Sequence, residues 1–218
     1  MRNELLTMYY KQNSDVLPAE YRRVVWIRSD YLNTYIDTGV GPDASGRLEI
    51  ELRASYESRK SFGSILGNYV NEATNAFRLI LTSDTATGAK DGYVTCGQKA
   101  GVSLLLPEMP PAEWITYHMR NGSCTLTIGG ESTTYSVSQN GGTANAGTIK
   151  IGCNGVASNN PSPGVHVAYY KCWKGGALVR DMIPVVRNAD SKPGLWDKVS
   201  RFFFTNAGGG VEFTWREF

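Results

Sequence analysis

Two glutamates on one short segment are the residues of this chain that could do acid–base chemistry. Glu49 and Glu51 lie in the segment 47–54, RLEIELRA, where apolar and charged residues alternate. This period of two predicts a strand with both carboxylates on its outward face. Two carboxylates about 5–5.5 Å apart can divide into the nucleophile and the acid/base of a glycoside hydrolase. Because Arg47 and Arg53 bracket the pair and would neutralise both, we favour a solvated charge ladder.

Other catalytic and metal-binding patterns are absent from the sequence. The two histidines, His118 and His166, lie far apart, and no serine elbow, H-E-x-x-H or phosphate-binding glycine loop occurs. The cysteines are scattered without a C-x-x-C pair, so the sequence predicts no catalytic residues, no metal site and no cofactor. A chain of this size does not need disulfides, and we expect buried thiols. The cysteines are Cys96, Cys124, Cys153 and Cys172.

The composition favours short strands joined by tight turns. Of the 218 residues, 41% are hydrophobic and only 19% are charged, and 24 are glycine. Turn signals about every 8–12 residues indicate a two-sheet antiparallel sandwich or barrel, and no repeat typical of a propeller or solenoid is visible. The segments with strand character are 22–28, 31–38, 47–54, 61–70, 75–81, 92–97, 102–106, 113–119, 124–128, 131–137, 148–153, 169–173, 178–186 and 211–215.

Residues 1–16 stand apart from these strands. Leu5, Leu6, Met8 and Tyr9 give this leader an apolar side, but about two turns of isolated helix are marginal in water. The leader is therefore either a loose segment or an anchor that orders against a neighbouring protein. Polar residues interrupt any signal-peptide core, and no run approaches the ~20 apolar residues that span a bilayer. A net charge of +2 gives no electrostatic case for nucleic acid.

Two blocks near opposite ends of the chain carry a family resemblance. The early block is YIDTGV over 35–40, and the late block comprises LVRDMIP over 178–184, GLWD over 194–197 and FFTNAG over 203–208. Together they resemble the concanavalin A-like, laminin-G-like jelly-roll modules of phage structural proteins and gut-bacterial surface proteins. The resemblance implies an all-β, two-sheet antiparallel jelly-roll sandwich over residues 17–218, after the leader. We expect its first and last strands to lie side by side.

Two aspartates in these blocks are predicted to be structural. Asp37 precedes Gly39, and a carboxylate at that position typically bonds the backbone of a turn. Asp181 follows Arg180 on a predicted strand, so the two side chains point to opposite faces and do not pair. We therefore expect the carboxylate of Asp181 to bond a loop backbone.

The resemblance also implies a function. It indicates a non-enzymatic phage virion structural protein, associated with the capsid or tail and made in the host cytoplasm. Such a protein would attach to other virion proteins through its leader, belong to an oligomeric assembly and contact host-surface glycans. One alternative is a hydrolase of the glucanase branch, but that branch resembles E-x-D-x-E, and the strand with Glu49 and Glu51 has only two acids. The other alternative is a bacterial surface adhesion domain.

Related lectins often bind calcium, but this chain has no D-x-D-x-D run, so calcium is not predicted. Its chemistry is expected to be saccharide binding, in which sugars stack on aromatic faces beside planar polar groups. With the apolar residues of 92–97 and 113–119 in the core, Tyr93 and Thr95 face out on one strand, and Trp114 and His118 on the other. Tyr93, Trp114 and His118 are thus candidates for one groove. The alternative, which we favour from the sequence, is a patch covered by a loop or a neighbouring subunit.

Overall fold

The leader lies outside the part of the chain that the structure describes. The predicted anchoring residues therefore also lie outside the described part; they are Leu5, Leu6, Met8 and Tyr9. Within the described part, no helix is long and apolar enough to cross a membrane. The computed structural model describes residues 17–29, 34–43, 47–56, 62–71, 73–82, 92–99, 104–106, 112–136, 142–143, 145, 147–153, 155 and 164–218.

The described residues form short β-strands, as the composition predicts. In chain order they are β1 (Tyr21–Arg23), β2 (Trp26–Ser29), β3 (Ile36–Asp37), β4 (Glu49–Tyr56), β5 (Phe62–Gly67), β6 (Asn75–Thr82), β7 (Gly92–Lys99), β8 (Leu104–Leu106), β9 (Ile115–Arg120), β10 (Ser123–Ile128), β11 (Glu131–Ser136), β12 (Lys150–Ile151), β13 (Val165–Lys174), β14 (Ala177–Arg187), β15 (Pro193–Asp197), β16 (Phe202–Phe204) and β17 (Thr214–Arg216).

These strands build two sheets. The larger has the order β11-β10-β9-β4-β13-β14-β15-β16, with β1 paired to β14, β2 to β13 and β17 to β2. The smaller has the order β3-β12-β5-β6-β7-β8. Every strand pairing within the described ranges is antiparallel. The predicted all-β jelly-roll sandwich is confirmed.

The core lies between the sheets and follows the predicted alternation. On β4, Ile50 and Leu52 are fully buried, and on β9 so are Tyr117 and Met119. The residues between them point to the opposite face, because successive side chains of a strand alternate. β4 and β9 therefore each present one row of side chains to the core and one row to the outside. The smaller sheet contributes Leu66, Phe77, Leu79 and Val94 to the same core.

The four cysteines belong to this interior. All four side chains are buried, as predicted, and none forms a disulfide. Loss of solvation raises the pKa of Cys172 to about 11 and raises the pKa of Cys96 well above its usual value. The reactive thiolate is therefore scarce at these positions near neutral pH.

The predicted first strand is interrupted in the structure. Segment 22–28 contains two short strands, β1 and β2, which pair with different neighbours. Between them the backbone N–H of Val24 donates to the carbonyl of Pro184, and that of Val25 donates to the carbonyl of Arg216. The prediction of one continuous strand is therefore wrong. The pairing of β2 with the last strand, β17, confirms that the two ends of the sandwich lie side by side.

The blocks that carry the family resemblance meet where the two sheets join. Arg180 of β14 donates from Nε to the carbonyl of Thr38, just after β3, at 2.9 Å. Nη1 of the same guanidinium lies 3.5 Å from Oδ2 of the fully buried Asp197. The predicted turn is also present, since Asp37 accepts a hydrogen bond from the N–H of Gly39 at 3.0 Å. The early and late blocks are thus two sides of one contact between the sheets.

Asp197, rather than Asp181, organises the loop backbone of the late block. Its carboxylate accepts hydrogen bonds from the N–H groups of Asp181, Val199 and Ser200, and from the Ser200 hydroxyl, at 2.5–3.2 Å. The side chain of Asp181 instead lies 2.6 Å from Nζ of Lys198. The prediction for Asp181 is wrong because the alternation of β14 turns this side chain outward, while the neighbouring strand places Asp197 at the buried position.

Gly194 of β15 is required by the close approach of β16. A Cβ at this position would overlap the carbonyl oxygen of Phe204 and lie 2.7 Å from the ring of Phe203. We expect Gly194→Ala to lower the free energy of unfolding by about 1–3 kcal/mol, the usual cost of overpacking. Gly209→Ala is the control, since a Cβ there would meet nothing within 4 Å. Urea denaturation measures both variants, and equal stabilities would contradict this interpretation.

Candidate functional site

The outward rows of the larger sheet form a surface of polar and aromatic side chains, called the outer face below. Because the strands are in register, these side chains form ranks that cross β9, β4, β13 and β14. Neighbouring ranks are two residues, or about 7 Å, apart along a strand. In order along β4, the ranks are Arg120, Glu49 and Trp173; then His118, Glu51, Lys171 and Asp181; and then Thr116, Arg53 and Tyr169.

An open cavity lies at the first of these ranks, and we call it the edge cavity. Its volume is about 480 Å³, which falls in the range of roughly 300–1,000 Å³ that is typical of small-molecule sites. One wall is aromatic and the others are mainly polar, so the cavity offers both a stacking surface and hydrogen-bonding groups. It is lined by Asp43, Arg47, Leu48, Glu49, Arg120, Asn121, Trp173, Gly175 and Gly176.

Trp173 is the aromatic wall of the edge cavity. The pairing of β13 with β14 shifts register between Cys172 and Trp173, and such irregularities bend a strand and re-aim its side chains. Gly175 and Gly176 both adopt positive φ and close the turn to β14, which glycine does without steric cost. The indole of Trp173 is half-buried. The His118 ring lies beside it, with a centroid separation of 6.5 Å.

The polar wall of the edge cavity is a hydrogen-bonded trio. Oε1 of Glu49 lies 2.7 Å from Nε2 of His118 and accepts a hydrogen bond from Nη2 of Arg120 at 2.8 Å. Partial burial raises the pKa of Glu49, but the hydrogen bonds from His118 and Arg120 outweigh it, so the pKa is lowered. The general acid of a glycoside hydrolase needs a raised pKa. Glu49 is instead suited to accept hydrogen bonds as a carboxylate.

The lowered pKa of Glu49 should make stability depend on pH. A carboxyl group with a depressed folded-state pKa stabilises the protein above its unfolded-state pKa, and this stability is lost as the pH falls through the folded value. We therefore expect the wild type to lose more stability below pH 4.5, the ordinary value, than Glu49→Gln does. Urea denaturation at a series of pH values measures this, with Glu131→Gln on the exposed β11 as the control. Parallel profiles for wild type and Glu49→Gln would contradict the assignment.

The second carboxylate of β4 is also paired. Oε1 of Glu51 lies 3.8 Å from Nζ of Lys171 on β13, and Nζ of Lys171 lies 5.5 Å from the centroid of the Tyr169 ring. Arg53, expected to neutralise the glutamates, instead donates to the hydroxyl of Thr116 at 3.3 Å. Glu49 and Glu51 therefore have basic partners on the neighbouring strands. In the described part of the chain, no three His, Cys, Asp or Glu side chains converge as a metal site requires.

A second aromatic cluster, called the far platform below, lies at the other end of the outer face. The guanidinium carbon of Arg53 lies 5.9 Å from the ring centroid of Trp114. The rings of Trp26 and His166 meet edge to face at 4.5 Å, and the ring of Trp114 lies 6.5 Å from His166. Nδ1 of His166 lies 3.2 Å from the hydroxyl of Ser55. The far platform thus combines the partly buried rings of Trp26 and Trp114 with a buried histidine–serine pair, so its rings rather than its polar groups are open to a ligand.

Two of the three predicted glycan-binding residues lie on the outer face, and one does not. His118 on β9 and Trp114, directly before β9, point outward, as the alternation predicts. Tyr93 is 38% exposed, but β7 belongs to the smaller sheet, whose outward side is the opposite side of the sandwich. Thr95, predicted to be exposed beside it, is fully buried. The prediction of one groove with all three residues is therefore wrong, because alternation separates inward from outward but does not identify the sheet.

Sequence reasoning misses Trp173 and Arg120. The signal for Trp173 is present, because burial of Tyr170 and Cys172 turns Trp173 outward by the same alternation that nominated Trp114. Arg120 follows His118 by two residues and therefore shares its face. Their meeting at Glu49 could not be predicted, because it depends on β4 lying between β9 and β13, two strands that are distant in sequence.

Comparison with known proteins finds the same kind of fold. No protein-family model matches the chain, and neither does any curated protein. Among solved structures, a Bacteroides ovatus protein described as a "putative carbohydrate binding protein" matches with a TM-score of 0.56 and 14% identity, over 90% of this chain and 61% of that chain. This chain therefore spans 61% of the length of that protein. At this identity the likeness shows the fold.

Two further solved structures are similar at lower TM-scores. Scytalido-glutamic peptidase with a peptide-based transition state analog matches with a TM-score of 0.41 and 15% identity, over 76% of this chain and 92% of that chain. Tailspike protein 2 of an Escherichia coli O157:H7 bacteriophage matches with a TM-score of 0.43 and 10% identity, over 74% of this chain and 27% of that chain. Neither likeness is close enough to carry an argument about function.

Proposed function

We propose that this chain is a non-enzymatic phage virion protein whose concanavalin A-like module binds host-surface saccharide on its outer face. The observation that carries the proposal is the edge cavity, where Trp173 stands beside the hydrogen-bonded Glu49 and Arg120. Sugars pack their C–H faces on aromatic rings and bond their hydroxyls to planar polar groups. The shared fold with the Bacteroides ovatus protein described in carbohydrate-binding terms supports the same class of ligand.

Binding without hydrolysis fits the electrostatics of the carboxylates. Glu49 has a lowered pKa and therefore holds no proton to donate near neutral pH. Glu51, the other candidate acid, lies within an ion pair with Lys171. A retaining or inverting hydrolase needs one protonated and one ionised carboxyl group. Two carboxylates held by basic side chains are better suited to orient hydroxyl groups than to cleave a glycosidic bond.

The virion assignment rests on the sequence blocks shared with phage structural modules. In this proposal the leader, through Leu5, Leu6, Met8 and Tyr9, packs against a neighbouring virion protein and attaches the module to an oligomeric assembly. Electron microscopy of purified virions tests this assignment. Density for the sandwich at the capsid or tail surface is the expected result, and virions that lack the chain would refute it.

A glycan array tests the binding proposal. The full chain, applied to an array of bacterial surface glycans, is expected to bind a subset of them and to release no reducing ends from its ligands. Absence of any hit would refute saccharide binding while leaving the virion assignment standing. Cleavage of a bound glycan would refute the non-enzymatic part, and retained cleavage in Glu51→Gln would exclude Glu51 as its catalyst.

A further inference from the structure

We infer that the outer face binds an uncharged, linear saccharide chain that lies along the strands, from the edge cavity to the far platform. This inference rests on the proposed function and specifies its ligand. It follows from three features of the outer face: the distance between its two aromatic ends, the surface between these ends, and the pairing of its charged side chains.

The two ends are too far apart for one sugar to contact both. Trp173 is paired in register with Glu49 at one end of β4, and His166 is paired with Ser55 near the other. Ser55 follows Glu49 by six positions, which corresponds to about 20 Å of strand. A ligand that reaches both ends must be an extended chain of several sugars that runs parallel to β4.

The surface between the two ends can hold such a chain. Tyr169 lies in the rank between them and is only 9% exposed, so neighbouring side chains cover most of it. Arg53 and Thr116 share the same rank and are joined by a hydrogen bond. At the far platform, contacts with Arg53 and His166 hold Trp114 in place. The half-buried Trp114 therefore presents a second aromatic ring at this end of the outer face.

The charges of the outer face favour an uncharged ligand. Its carboxylates already have basic partners: Glu49 has His118 and Arg120, Glu51 has Lys171, and Asp181 has Lys198. An acidic chain would need these basic groups for itself and would have to displace carboxylates from them; Arg53, which donates to Thr116 and lies over Trp114, is the exception. A neutral, hydroxyl-rich chain can donate hydrogen bonds to the same carboxylates without breaking a pair.

The test uses an array that carries neutral and acidic oligosaccharides, each in a series of increasing length. For the wild type, affinity should rise at least about tenfold from the shortest to the longest neutral member that binds, and it should not change with salt. Trp114→Ala should lose this gain, and Trp114→Phe, which keeps a ring, should retain most of it. Tyr93→Ala, on the smaller sheet, should match the wild type throughout.

The outcomes separate this inference from the proposed function. Binding that is independent of length, or that prefers acidic members and weakens with salt, would overturn the inference and leave saccharide binding intact. Failure of the wild type to bind any member would overturn both. Should Trp114→Ala not fold, the wild type still provides a test: the indole N–H resonance of Trp114 should shift with long members and not with short ones, and the opposite pattern would refute the inference.

Discussion

Replacement of Asp197 with alanine is expected to lower the free energy of unfolding by about 3–5 kcal/mol, the cost of breaking a buried charged network by removing one partner. The carboxylate is fully buried and accepts hydrogen bonds from the backbone of Asp181, Val199 and Ser200 and from the Ser200 hydroxyl. Its loss leaves these donors unsatisfied and leaves Arg180, which links the two sheets through Thr38, without its anionic neighbour.

Urea denaturation of the wild type and Asp197→Ala measures this loss. The matched control is Asp190→Ala, because Asp190 also pairs with an arginine, Arg187, but at an exposed site. Exposed ion pairs contribute little to stability, so the control should remain close to the wild type. A loss for Asp197→Ala as small as that of the control would contradict the structural role assigned to Asp197.

Trp173→Ala is expected to weaken binding of the strongest array ligand by at least about tenfold, the effect of removing a central aromatic anchor. Trp173 is the aromatic wall of the edge cavity, and among the described residues that line the cavity no other is aromatic. The remaining lining groups can bond hydroxyls but offer no ring on which a sugar can stack. Isothermal titration calorimetry measures the affinities, and circular dichroism checks that the variant is folded.

Tyr93→Ala is the control for Trp173→Ala. Tyr93 is an exposed aromatic residue on the smaller sheet, so it is similar in chemistry but lies on the other side of the sandwich. Its loss should leave affinity unchanged. If Tyr93→Ala weakened binding and Trp173→Ala did not, the site would belong to the smaller sheet and the edge cavity would not be the saccharide site.

Alternation along single strands could be predicted from the sequence, but the partners of those strands could not. The inward positions of β4 and β9, the turn at Asp37 and the pairing of the first and last parts of the sandwich agree with expectation. The interruption at Val24 and Val25 was not predictable, because β-formers continue through it and only the partner strands, distant in sequence, divide it.

The same limit explains the candidate site. Trp114 and His118 were assignable to an outward face from local pattern, and Trp173 could have been. Strand order places Tyr93 on the other sheet, and it places Glu49 between Arg120 and Trp173. Strand order is set by non-local pairing and leaves no mark in a single strand. Asp181 and Asp197 show this as well, because their difference in burial depends on neighbouring strands.

The most direct test of saccharide binding on the outer face is nuclear magnetic resonance of the tryptophan indole N–H groups during titration with the strongest array ligand. The chain has five tryptophans, and they report on different surfaces. The resonance of Trp173 should shift most, while that of Trp215, which packs against the core from β17, should not move. Saturable binding that leaves Trp173 unshifted would contradict the account.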